Sequence, residues 1–113
     1  MHTVTAWSNG SPTSTGSGYG LRIPRHLVPT LASGPRSVVV ILPDGSHRTR
    51  VQATTSTSFF RHCPELRSAE IGRWLIRHGL HQGGRQWKMG QPPRFVAVVT
   101  PGKLVIKSTR PLK

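Results

Sequence analysis

A Mg²⁺-dependent nuclease needs carboxylates to hold its cation, and this chain of 113 residues has three acidic side chains, Asp44, Glu65 and Glu70. Pro43-Asp44 followed by Glu65-Leu66-Arg67 echoes the PD…(D/E)xK arrangement of restriction nucleases. Arg67, however, stands where the lysine belongs, and the Pro-Asp-Gly-Ser turn accounts for Asp44 by itself. His62 and Cys63 are adjacent, and no C-x-x-C or H-x-x-x-H spacing completes a zinc site. "TGSGYG" has the glycines of a phosphate-cradling loop, but it precedes a strand instead of following one and opening a helix. A Ser/His/Asp triad would depend on the single Asp. These residues favour binding over bond breaking, with no catalytic residue, metal or other cofactor expected.

The basic side chains give the binding its sign. Sixteen Lys and Arg face the three acids, for a formal net charge of +13, and twelve of the sixteen are Arg. The Arg fork suits phosphate oxygens and the guanine edge, and a fold this basic repels itself until a polyanion neutralises it. Nucleic acid is therefore the expected partner, and a small-molecule substrate is not. In "HRTRVQAT", Arg48, Arg50 and Gln52 alternate with Thr49, Val51 and Ala53, which puts a polar, basic row on one face of a strand. Single-strand binders need several exposed aromatic platforms. The aromatics here are few, and Trp74 and Phe95 are placed as core, so backbone and groove contacts on a duplex are favoured.

These residues need a scaffold, and the chain supplies one domain's worth. Val4–Trp7 and Tyr19–Ile23 read as strands, and Pro24 opens a short helix through "PRHLVPTL". "SVVVILP" and "HRTRVQAT" form a hairpin about "PDGS". Ser68 caps a helix through "AEIGRWLIRH" that Gly79 stops, with Ile71, Trp74, Leu75 and His78 on one face. "QWKM" reads as a short edge strand, and "RFVAVVTPGKLVIKS" as a second hairpin around Pro101-Gly102. The expectation is a mainly β fold of seven strands and two short helices, too few crossover helices for an α/β sheet. "TSTSFFRHCPELRS" is read as irregular. "WSNGSPTSTGSGYG" has the composition of a linker, and few of its residues are expected in the core.

Cys63 is the one cysteine, which fits a reducing compartment. The N-terminus shows no signal-peptide pattern, and the apolar runs "VVVIL" and "FVAVV" are too short to span a bilayer. A cytoplasmic, nucleoid-associated protein without a membrane partner is expected.

Gly20, Leu21, Ile23 and Pro24 in "GYGLRIPRHLVPTL", with Trp74, Pro93 and Phe95 in "AEIGRWL…W…GQPPRFVAVV…GKLVIK", carry a resemblance. The first segment resembles the N-terminal effector-binding domain of the EcoRII restriction endonuclease. The second resembles the DNA-recognition domains of BfiI-like and UbaLAI-like enzymes. All are similar to the plant B-three DNA-binding pseudobarrels. The resemblance implies a seven-stranded open pseudobarrel, covering residues 1–113, that grips duplex DNA in the major groove between two arms. It implies an N-arm at about 7–22 and a C-arm at about 54–68. The DNA contacts then expected are Trp7, Ser8, Asn9, Tyr19 and Arg22 at the first arm and Arg61, His62, Glu65 and Arg67 at the second, with Arg25 and the strand residues Arg48 and Arg50 beside them. Within the C-arm, Arg61, His62 and Arg67 offer donors to guanine and Glu65 an acceptor for cytosine. A nuclease domain or subunit is the protein partner implied. A small Mg²⁺-dependent nuclease built on Asp44 and Glu65, and a basic RNA-binding protein, stand as alternatives.

Overall fold

The alternating segments pair as their patterns require. In the computed structural model, which describes residues 1–31, 37–55, 64–88 and 90–112, the strands are β1 (His2–Ser8), β2 (Tyr19–Arg22), β3 (Ser37–Asp44), β4 (His47–Thr55), β5 (Glu65–Arg67), β6 (Arg94–Thr100) and β7 (Lys103–Ile106). A 3-10 turn over Arg25–Leu27 runs into the short helix α1 (Val28–Leu31), and α2 spans Ala69–Arg77. The fold is mainly β with seven strands and two short helices.

The strands form one ring in the order β1-β2-β5-β4-β3-β7-β6, closed by pairing of β6 with β1. The ring expected to be open is therefore closed. The reason lies in β1, which divides its length: His2–Thr5 pair with β6, Thr5–Ser8 pair with β2, and Thr5 is held on both sides. Every neighbouring pair is antiparallel except β3 with β7. A second difference concerns the seventh strand. "QWKM" contributes only an isolated bridge from Lys88 to Gln91, and the strand forms instead at Glu65–Arg67, inside the stretch read as irregular. Pro64 suits the position before a strand, and its carbonyl accepts the Ile23 amide at 2.8 Å.

Alternation fills the ring. Val4, Ala6, Leu21, Val38, Val40, Leu42, Val51, Ala53, Leu66, Phe95, Ala97, Leu104 and Ile106 are buried, as the period of two demands. The Ser68 hydroxyl caps α2 by accepting the Glu70 amide at 3.1 Å, and the helix buries Ile71, Trp74 and Leu75. Trp74 meets Phe95 edge-on with centroids 5.4 Å apart, and its indole N–H donates to the Pro43 carbonyl at 2.6 Å. That bond satisfies the polar end of a fully buried ring and ties α2 to the end of β3. No helix among the described residues is long and apolar enough to cross a membrane.

Candidate nucleic-acid interface

Side chains paired across a ladder share a face, so the outer surface follows from the register. Trp7 faces Gly20, Gly20 faces Arg67, and Arg67 faces Thr54, which makes one outer row across β1, β2, β5 and β4. One step along, Arg94, Thr5, Arg22 and Glu65 form a second row. Along β4, Gln52, Arg50 and Arg48 continue outward beside Thr54, and all four are exposed. The basic row expected on β4 thus adjoins Arg22 and Arg67 on a single convex face.

Arg22 and Arg67 are held there from beneath. Glu65 is buried, its side chain only 2% exposed, while the side chains of Arg22 and Arg67 are 56% and 50% exposed. Arg22 Nη2 donates to Glu65 Oε2 at 2.8 Å, and Arg67 Nη2 approaches Glu65 Oε1 at 3.5 Å. The Arg67 guanidinium also lies 4.8 Å from the centroid of the Trp7 ring, within cation–π range. A carboxylate sunk between two half-exposed arginines restrains both forks where they reach the surface. Glu65 is therefore not an exposed acceptor for cytosine. Its oxygens face Arg22 and Arg67. The sequence could not show this, because Arg22 is 43 residues away.

The stretch from Trp7 to Gly20 is a folded hairpin loop, not a linker. The Asn9 amide donates to the Gly18 carbonyl and the Thr13 amide to the Ser17 carbonyl, both at 2.9 Å. Asn9 Oδ1 accepts the Ser11 amide at 2.9 Å, an Asx turn that closes the first corner. The loop is docked on α2. Gly16 is buried, and a Cβ added to Gly72 would collide with the Gly16 carbonyl oxygen. Only two glycines allow the backbones to come this close. Arg73 Nη1 donates to the Thr15 carbonyl at 3.1 Å, and Ser8 Oγ donates to Gln82 Oε1 at 2.6 Å. Ser11, Thr13, Ser14, Thr15 and Ser17 remain exposed along the outer edge.

Tyr19, expected at the interface, is instead in the core at 4% exposure. Its ring meets the edge of Trp87 with centroids 6.2 Å apart, and its hydroxyl accepts the Gln82 amide at 3.0 Å. Its inward direction follows from β2, where Tyr19 and Leu21 alternate with Gly20 and Arg22. Arg25 is exposed in the 3-10 turn beyond β2 and lies outside the strand rows. Arg61 and His62 lie outside the described residues. Between the loop and the start of α2 lies a depression of ≈ 500 Å³, lined by Trp7, Asn9, Thr54, Arg67 and Ser68 among others. It brings together candidates from both expected arms.

Asp44 and Glu65 do not share a site. His47 faces Asp44 at one end of β4, and Thr55 faces Leu66 at the other. Eight residue steps at about 3.3 Å put the carboxylates roughly 25 Å apart along the strand, too far to hold one cation. Asp44 accepts from Arg77 Nη2 at 2.8 Å and is bonded to His78 Nε2 at 2.9 Å. The His78 hydrogen bond is the largest influence and outweighs the upward push of burial, and with the Arg77 hydrogen bond and the charges of Arg77 and His78 it holds the carboxyl below the ordinary aspartate value of 3.8. Among the described residues no group of three or more His, Cys, Asp and Glu is placed to hold a metal.

Scans against protein-family models, curated proteins and solved structures find no match to this chain.

Proposed function

We propose that this chain is a sequence-specific double-stranded DNA-binding domain that acts by binding, without catalysis of its own. The observation that carries the reading is the pair Arg22 and Arg67, oriented by buried Glu65 and by Trp7 on the same outer face as Arg48, Arg50 and Gln52. Oriented Arg forks suit bidentate contacts to the guanine edge in the major groove. The surrounding basic row suits phosphates, which fix register without reading sequence.

The stretches at about 7–22, which include the docked loop, and at about 54–68 serve as the two arms of the grip that the resemblance to the EcoRII-like and B-three pseudobarrels implies. In this role the protein works in the nucleoid, either as the specificity module of a restriction system, with a nuclease domain or subunit as partner, or as a free-standing relative.

Competition at matched salt tests the reading, because salt dependence alone is shared by every polyanion. A duplex selected from random sequences displaces a labelled probe, and single-stranded DNA of the same sequence does not. Double-stranded RNA also fails, since side chains cannot read its deep, narrow major groove. Equal competition by RNA or single strands overturns the proposal, as does Mg²⁺-dependent cleavage that is lost in Asp44→Ala.

A further inference from the structure

We propose that the cleft between the turn at 86–91 and the C-terminal tail is a second contact surface for the same duplex, taking its sugar–phosphate backbone beyond the bases read at the strand face. This inference rests on the duplex reading above. The cleft encloses ≈ 970 Å³, and its lining includes Thr5, Gln86, Lys88, Gln91, Arg94 and Arg110. Lys88, Arg94 and Arg110 are all exposed.

None of the chain's three acidic side chains lines the cleft. Asp44 is engaged at the β3–β4 turn by Arg77 and His78, Glu65 lies under Arg22 and Arg67, and Glu70 sits in the first turn of α2. Lys88 and Arg110, both lining one concavity, focus a positive potential there.

The walls are built by backbone bonds, so the cations sit at set positions. The Lys107 amide donates to the Val96 carbonyl at 3.0 Å and the Leu112 amide to the Arg94 carbonyl at 2.7 Å, which lays the tail along β6 and carries Arg110 with it. Opposite, the Gln91 amide donates to the Lys88 carbonyl at 2.8 Å. The cations come from three separate segments spread along an open groove. That arrangement fits an extended polyanion better than one small anion, which would need donors converging on a point. Among the described residues no aromatic ring lines the groove to offer a platform for an unpaired base, and the occupant it suits is a duplex backbone.

Continuity with the reading face sets the direction of the track. Thr5 lines the cleft and pairs with Arg94 on one side and Arg22 on the other. Two strand spacings place the Arg94 and Arg22 backbones roughly 10 Å apart. A duplex seated over Arg22 and Arg67 therefore continues over Thr5 into the cleft.

The test uses the full chain, a short selected duplex, and the same duplex extended by about one helical turn at either end. Wild type is expected to bind the extended duplex more tightly and with a steeper salt dependence. Lys88→Ala/Arg110→Ala is expected to lose that gain, its log–log salt slope on the extended duplex falling by about 1.8. Its affinity for the short duplex and its base preference stay unchanged. Lys88→Arg/Arg110→Lys, which keeps the charges, retains the length gain and controls for folding. A double alanine variant that keeps the full length gain and slope overturns this inference and leaves the duplex reading intact. A wild type with no preference for duplex overturns both.

Discussion

The Arg67 guanidinium rests 4.8 Å from the Trp7 ring centroid although the two residues lie on strands that do not touch. Gly20 stands between them in the ladder and contributes no side chain, so an aromatic ring and an arginine meet over the gap. A Cβ at Gly20 would also run into the Leu66 carbonyl. The glycine therefore permits both the β2–β5 approach and the stack above it. In Trp7→Ala, Arg67 loses about 0.5–1 kcal/mol of orientation, and affinity for the selected duplex is expected to fall several-fold while random duplex is bound as before. Equal losses on both would show that Trp7 contributes contact area and does not aim Arg67.

Glu65→Gln separates positioning from reading. The substitution keeps the shape and removes the buried charge beneath two arginines. Hydrogen bonds to charged groups contribute about 1.5–3 kcal/mol, discounted here because both arginines are half exposed, so a stability loss of about 1–2 kcal/mol is expected in urea unfolding. The gain of one net positive charge should strengthen binding to random duplex as specificity falls. If Glu65 were an acceptor for cytosine, the variant would instead lose preference at a single base with no gain on random sequence.

Arg48 and Arg50 face outward on β4 in a regular row, and neither has a carboxylate opposite it. As phosphate contacts, Arg48→Ala and Arg50→Ala should each weaken all duplexes alike and lower the salt slope by about 0.9. Arg67→Ala should cost about 1–3 kcal/mol on the selected site and relax one base position. A reversed pattern would exchange the two roles.

Asp44 links the β3–β4 turn to the last turn of α2 through Arg77 and His78. Its carboxyl is held below its ordinary value, chiefly by the His78 hydrogen bond, so the folded state prefers the charged form. The stabilisation is then complete above the ordinary value of 3.8 and fades as pH falls from there through the lowered, folded-state value. Wild type should lose melting temperature as pH falls from the ordinary value of 3.8 through the lowered, folded-state value. Asp44→Asn should melt lower than wild type near neutrality and converge with it in acid. A constant gap between the two across that range would remove the linkage.

Much of the fold was legible because local pattern and tertiary pairing agree. Arg48 to Ala53 alternate and form β4, and Ser68 caps a helix whose apolar face fills the ring. Tyr19 was also legible in principle, since it shares the inward parity of Leu21 and Ile23. The resemblance placed it among the contacts of the first arm, but the parity of the strand decides its direction. Glu65–Arg67 could not be read as a strand. Three residues with one apolar side chain carry no periodic signal, and β5 exists only because β2 and β4 flank it. The burial of Glu65 was hidden for a similar reason, because its partner Arg22 comes from a distant strand. The docking of the loop did leave a trace. Gly72 lies in the middle of an otherwise sound helix, where glycine costs about 1 kcal/mol against alanine, and such a position points to a close approach.

That glycine offers the sharpest test of the N-terminal arm. On propensity alone, Gly72→Ala should stabilise α2 by about 1 kcal/mol. The added methyl, however, would meet the backbone carbonyl of Gly16, an atom that no side-chain rotation can move, and overpacking of this kind costs about 1–3 kcal/mol. The loop can relieve the collision by lifting from the helix, since its remaining ties are the Arg73 contact to Thr15, the Ser8 contact to Gln82 and its own internal turns. The expected result is a net stability loss of about 1–2 kcal/mol at most, with faster amide exchange at Thr13 and Gly16 and unchanged exchange in β3 and β4. Affinity for the selected duplex should fall much further than affinity for random duplex, because the arm loses its fixed position while the basic face is untouched. Gly72→Ala with full exchange protection at Gly16 would show that α2 yields instead of the loop. Faster exchange at Thr13 and Gly16 with undiminished selected-site affinity would show that the docked loop takes no part in recognition.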